Sequence, residues 1–144
     1  MSHVKKSIII DASPEKVHGF ARDPKHWATW FVGFGEAKKV TGDGGIGTVV
    51  ESTFQVLGVR FPLNVTVVED SIEPDGSQWR ARAEGPVTAE HDWTHVPTNG
   101  RTESTADIEY TLPGAVLAKV ANRLVVERMM AGGLEQSLQN LKSL

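Results

Sequence analysis

Hydrophobic and polar positions alternate with a period of two through the middle of the chain and with a helical period at its end. Residues 3–11 read as a strand, with Val4, Ile8 and Ile10 on one side. Ser13-Pro14-Glu15 then starts a helix: a serine N-cap, proline at the first helical position and an acid in the first turn. That short helix carries Val17, Phe20 and Ala21, and Asp23-Pro24 repeats the device for a second one holding Trp27 and Trp30. From residue 34 the period is two. Residues 34–41 read as a short strand and GDGGIG (42–47) as a turn. Residues 48–57 form a strand, Gly58 a turn, and 59–73 a long strand with Val59, Phe61, Leu63, Val65 and Val67 on one face. Asp75-Gly76 turns into 77–84, where Trp79, Ala81 and Ala83 alternate with Arg80 and Arg82. After Gly85-Pro86, strands over 87–96 and 101–112 flank Asn99-Gly100, a tight-hairpin signal. Ala106, Ile108, Tyr110 and Leu112 share one face of the last strand. Pro113-Gly114 opens a helical segment of about thirty residues, with Val116, Val120, Met130, Leu134, Leu138 and Leu141 on one stripe. Gly132-Gly133 is expected to bend it.

The order is strand, two short helices, six strands, long helix. It predicts an α+β fold: a curved antiparallel sheet of six to seven strands wrapped around the C-terminal helix. No repeat or linker divides the chain, so residues 1–144 are expected to form one domain. A twisted sheet gripping a helix leaves an interior space of the concave, apolar kind that small molecules occupy.

Composition narrows the function. The chain carries a net charge of −3, and no basic surplus points to nucleic acid. The absence of cysteine excludes disulfides, thiolate catalysis and cysteine-ligated zinc. The opening MSHVKKSIII has too short an apolar run for a signal-peptide core, and no later run is long enough to span a membrane. The expectation is a cytoplasmic protein, monomer or homodimer, without stable membrane insertion.

The stretch AEHDWTHVP (89–97) looks like a site, with two histidines and two acids in nine residues. Read as a strand, it separates. His91, Trp93 and His95 face one way, Glu90, Asp92 and Thr94 the other. His91 and His95 lie roughly 13 Å apart along a strand, too far to share one metal ion. No metal is expected. GDGGIG lacks the Lys-Ser/Thr ending and the following helix of a phosphate loop, so a hairpin connection explains it.

SIIIDASPEKV (7–17), DPKHWATW (23–30), GTVVES (47–52), WTHVP…NGRTESTADIEYTLPG (93–114) and LEQSLQNLK (134–142) together resemble the Bet v 1-like, START-like helix-grip superfamily. Within it the chain resembles the small bacterial polyketide cyclase/dehydrase-like (SRPBCC) proteins. The likeness covers essentially the whole chain. It implies a cavity for a hydrophobic or aromatic small molecule, lipid- or polyketide-like, and no metal or nucleotide cofactor. It carries no catalytic motif onto these residues. In the resembling proteins the tryptophan of the WTHVP-like stretch points inward.

On that reading Trp27, Trp30, Trp79 and Trp93 supply aromatic walls, joined by Phe54, Phe61 and Leu63 from the central strands. His91, Ile108 and Tyr110 join them from the last two strands, with His95 nearer the rim. From the long helix come Met130 and Glu127, a carboxylate on the apolar stripe one turn after Arg123. Three function classes follow: a binding or carrier protein; a cyclase- or dehydratase-like enzyme with His91, Tyr110 and Glu127 as acid–base candidates; and a toxin-like or regulatory partner acting through its surface. Each bland alternative stays in view. His91 is then a satisfied core histidine, the tryptophans are core packing, and Glu127 pairs with Arg123 or reaches water.

Overall fold

The computed structural model describes residues 2–114 and 123–144. Strand β1 (Ser2–Ile10) leads into helix α1 (Pro14–Arg22), where the Ser13 hydroxyl caps the Lys16 N–H. Asp23 caps a 3-10 turn (Pro24–His26) that runs into the four-residue helix α2 (Trp27–Trp30). The remaining strands are β2 (Lys39–Thr41), β3 (Val49–Val56), β4 (Val59–Glu73), β5 (Gly76–Glu84), β6 (Thr88–Thr98) and β7 (Arg101–Thr111). The long helix α3 is described over Arg123–Ser143. Its expected first turns, with Val116 and Val120, lie outside the described residues.

All strand pairs are antiparallel, in the order β1-β7-β6-β5-β4-β3-β2. Consecutive strands pair as hairpins, and β1 closes the far edge against β7. Two of the turns, Leu57-Gly58 and Asn99-Gly100, have both residues at positive φ, the geometry that matches strand twist. Asn-Gly announced the second in the sequence. Leucine at φ 52° gave no such signal for the first. The strand expected over 34–41 shrinks to β2, preceded by a single bridge from Phe34 to Phe54. Gly35 sits in that irregular approach because an added Cβ would come within 2.3 Å of the Thr53 hydroxyl.

The period of two sets the core. Phe61, Leu63, Val65 and Val67 of β4 are buried, as are Trp79, Ala81 and Ala83 of β5 and Ala106, Ile108 and Tyr110 of β7. Helix α1 lies over the inner face of β5–β7, and α3 packs against β1 and α2. Val126, Leu134, Ser137, Leu138 and Leu141 are the buried residues of the described part of α3, which runs through Gly132-Gly133 as unbroken helix. Ser137 binds the turn after α2 to α3: its hydroxyl donates to the Gly133 carbonyl and accepts from the Val32 N–H, both at 2.8 Å.

Candidate functional site

A cavity of about 260 Å³ opens between the inner sheet face and α3, with α1 and α2 over one end. All four tryptophans line it. Trp27 meets Trp79 edge-to-face at 5.6 Å and Trp30 meets Trp93 at 5.4 Å, so the indoles form two interlocked pairs. Phe54, Leu63, His91, Ile108, Tyr110 and Met130 also lie on the wall, as the sequence suggested. Two expected residues do not. Phe61 is buried in the core away from the wall, and Glu127 is half-buried with its carboxylate 3.5 Å from the Ser2 hydroxyl. A side chain at that point of α3 looks toward the start of β1, so the acid avoids the cavity's apolar surroundings. The Arg123 side chain falls outside the described residues.

The indole N–H groups show how the wall is held. Trp27 donates to the Ala21 carbonyl and Trp79 to the Gly44 carbonyl, each at 3.0 Å. The GDGGIG turn, set aside as a phosphate loop, is thus a support for the Trp79 wall. Trp93 donates to His91 Nδ1 at 3.2 Å. Trp30 Nε1 is buried without a partner among the described residues.

The faces of β6 separate as the alternation required. Asp92 points outward to Gln78 and Arg80. His91, Trp93 and His95 point inward. The expected depth of the histidines is reversed, however. His95 is only 1% exposed, so it sits deep in the wall, not near the rim. Its Nδ1 lies 2.8 Å from the Ser104 hydroxyl on the paired strand. His91 is half-buried, and its ring lies on the cavity wall. Burial pushes His91 down to about 4. Burial, and secondarily the neighbouring His18, pushes His95 down to about 3. Both rings are neutral near pH 7.

One polar cluster escaped the sequence reading. His18 of α1 is 1% exposed and lies edge-on to His95, with ring centres 5.8 Å apart. Its Nε2 is 2.5 Å from one oxygen of Asp70, and Arg22 Nη1 is 2.5 Å from the other. Arg22 reaches on to Asp43, whose carboxyl is held low by the Gly45 N–H and then by Arg22. Asp70 faces inward because of a bulge. Val67 pairs with Ala81, Glu69 with Arg80, and Asp70 with the inward Trp79. The extra residue, Val68, is 46% exposed and shifts the alternation by one. Uninterrupted alternation puts Asp70 outside, so the charge partner that makes a buried His18 tolerable was invisible in the string. The one available signal was the break itself: Val67-Val68 are both apolar, and two acids follow them.

Fold and site define a class: a helix-grip α+β protein enclosing an apolar, aromatic-walled cavity. The chain belongs to the polyketide cyclase / dehydrase and lipid transport family, whose model matches residues 1–144. Hydrophobic ligand binding is typical of that family, and some members are enzymes. Among curated proteins, none matches the sequence. Solved structures share the fold. TTHA0849 from Thermus thermophilus is 20% identical with a TM-score of 0.76, covering 99% of this chain and 95% of its own. The Bet v 1-like Ara h 8.0201 is 10% identical with a TM-score of 0.68, over 99% and 95%. Norcoclaurine synthase from Thalictrum flavum, in complex with dopamine and hydroxybenzaldehyde, is 18% identical with a TM-score of 0.65, over 99% and 84%. Among the described residues no helix is long and apolar enough to cross a membrane.

Proposed function

We propose that this protein binds a hydrophobic or aromatic small molecule, lipid- or polyketide-like, in the cavity between sheet and α3. The observation that carries the reading is the cavity wall: four tryptophans with Phe31, Phe34 and Phe54 around about 260 Å³. An engineered cavity of about 150 Å³ already takes up benzene, so this one has room for a larger apolar body. Carriage is favoured over catalysis because the polar groups on the wall are spread out and do not converge on one spot. His95 is engaged by Ser104, and His18 and Arg22 by Asp70, while His91 lies four residues along β6 from His95. Of the three acid–base candidates, His91 and Tyr110 line the cavity and Glu127 does not.

The test is native mass spectrometry of the purified protein, with extraction of any bound compound, alongside tryptophan fluorescence titrations against lipids and aromatic compounds. Every tryptophan lies on the wall, so occupancy is expected to change the emission strongly. If no compound co-purifies and the whole panel leaves the emission unchanged, the reading fails.

A further inference from the structure

The cavity wall is apolar almost throughout, so a polar atom that is both unpartnered and accessible stands out. Three unpartnered polar atoms, His18 Nδ1, Trp30 Nε1 and Ser77 Oγ, are sealed within protein. His91 Nε2 is different. It has no partner among the described residues, and it is not among the sealed atoms. Its ring lines the cavity, flanked by Phe31 at 5.6 Å and by the nearly coplanar, hydrogen-bonded Trp93 ring at 6.4 Å.

The state of that nitrogen follows from its neighbour. An indole N–H only donates, so the bond from Trp93 Nε1 requires a lone pair on His91 Nδ1. A neutral imidazole with its lone pair on Nδ1 carries its proton on Nε2. Desolvation disfavours the imidazolium, so the ring stays neutral at ordinary pH. Trp93 is therefore a positioning residue. It fixes the tautomer of His91, and the bond at Nδ1 leaves Nε2–H pointing away from Trp93.

We infer that His91 Nε2–H is a hydrogen-bond donor offered to the occupant of the cavity, and that the ligand class is an apolar, flat molecule carrying a carbonyl-type acceptor. This rests on the cavity reading above and adds one requirement to it. The acceptor must stand beside the Phe31–Trp93 wall. A neutral donor polarises a carbonyl without placing a net charge in the cavity, and a purely hydrocarbon ligand leaves the N–H unpaired. A site built to pair with one polar group discriminates against an analogue lacking it.

The experiment compares two shape-matched probes by equilibrium dialysis: 2-acetylnaphthalene, and 2-isopropenylnaphthalene, in which a methylene replaces the carbonyl oxygen. The wild-type protein is expected to bind the ketone roughly fivefold to tenfold more tightly, the net worth of one hydrogen bond. The infrared carbonyl stretch of bound 2-acetylnaphthalene is expected to fall relative to the ketone in an apolar solvent. His91→Phe is expected to abolish both the preference and the shift. Trp93→Phe, which frees the tautomer, is expected to weaken both. Equal affinities with no infrared shift in the wild-type protein overturn the donor assignment and leave the cavity reading standing. Failure of both probes to bind counts against the cavity reading and takes this inference with it. The wild-type comparison decides even if a variant does not fold.

Discussion

Asp70 holds two groups at once, His18 through one carboxylate oxygen and Arg22 through the other, with only 10% of its side chain exposed. Removing it leaves His18 Nε2 without an acceptor inside the wall and Arg22 with only the exposed Asp43. Asp70→Ala is expected to cost about 3 kcal/mol, the scale for breaking a buried pair by deleting one partner. Urea denaturation measures it, and a loss under about 1 kcal/mol would show the cluster to be solvated. The other residue-scale prediction concerns acid. His91 and His95 have native values near 4 and 3, below the ordinary 6.5 that they regain on unfolding. Above pH 6.5 both states are neutral and nothing is lost. Below it the unfolded chain takes up protons that the folded one refuses, so stability falls as pH drops toward 4. At pH 5 the unfolded chain holds nearly two protons more than the folded one at these positions, so the two groups contribute between about 2 and 2.7 kcal/mol per pH unit. The slope of unfolding free energy against pH reads it directly, and His95→Gln is expected to reduce that slope by about half of this contribution.

Alternation placed nearly every inward residue of β5, β6 and β7 from the string alone, because a strand half-buried on one face has no other pattern to show. It failed where an element departs from regularity. The bulge at Val68 turned Asp70 inward, and α1 buried Val17, His18 and Ala21, leaving Phe20 half-buried and stacked on His26 at 4.3 Å. Histidine in a helix carries no mark of its partner on a strand fifty residues away. The Leu57-Gly58 turn makes its own prediction. Leucine in the left-handed region costs about 1 kcal/mol that asparagine largely avoids. Leu57 also lines the cavity. Leu57→Asn is expected to raise the melting temperature by a few degrees while weakening retention of apolar ligands. A lower melting temperature would mean that the leucine's packing outweighs its backbone strain. The turn at 42–47 is stricter. Gly44 has φ 104°, and an added Cβ would stand 2.5 Å from the Arg22 carbonyl oxygen. Gly44→Ala is expected to destabilise the protein by about 2 kcal/mol or more and to alter near-ultraviolet circular dichroism through Trp79, whose indole bonds to the Gly44 carbonyl.

For the whole molecule, element order and the quoted segments made the fold and the family legible. The cavity was legible as an expectation of shape, since a curved sheet over a helix encloses space. Its polar arrangement was not, because which nitrogen is sealed and which is open depends on contacts between β6, α1 and the segment after α2. Filling the cavity is expected to stabilise the fold as a unit. At a ligand concentration a hundredfold above the dissociation constant the gain is about 2.7 kcal/mol, a rise in melting temperature of roughly 10 °C. Differential scanning fluorimetry against the compounds that shift the tryptophan emission tests this, and emission changes without any thermal shift would indicate surface binding.

An interior space of about 260 Å³ is also a volume that the chain gives up when it unfolds. Hydrostatic pressure acts on that difference directly, whereas heat acts on the whole surface. The empty protein is therefore expected to yield to compression early, with a volume change near the large end of the usual range, around −100 mL/mol. A ligand that occupies the space removes much of that change. Resistance to compression would then distinguish filled from empty molecules even for a guest too weakly bound to survive purification.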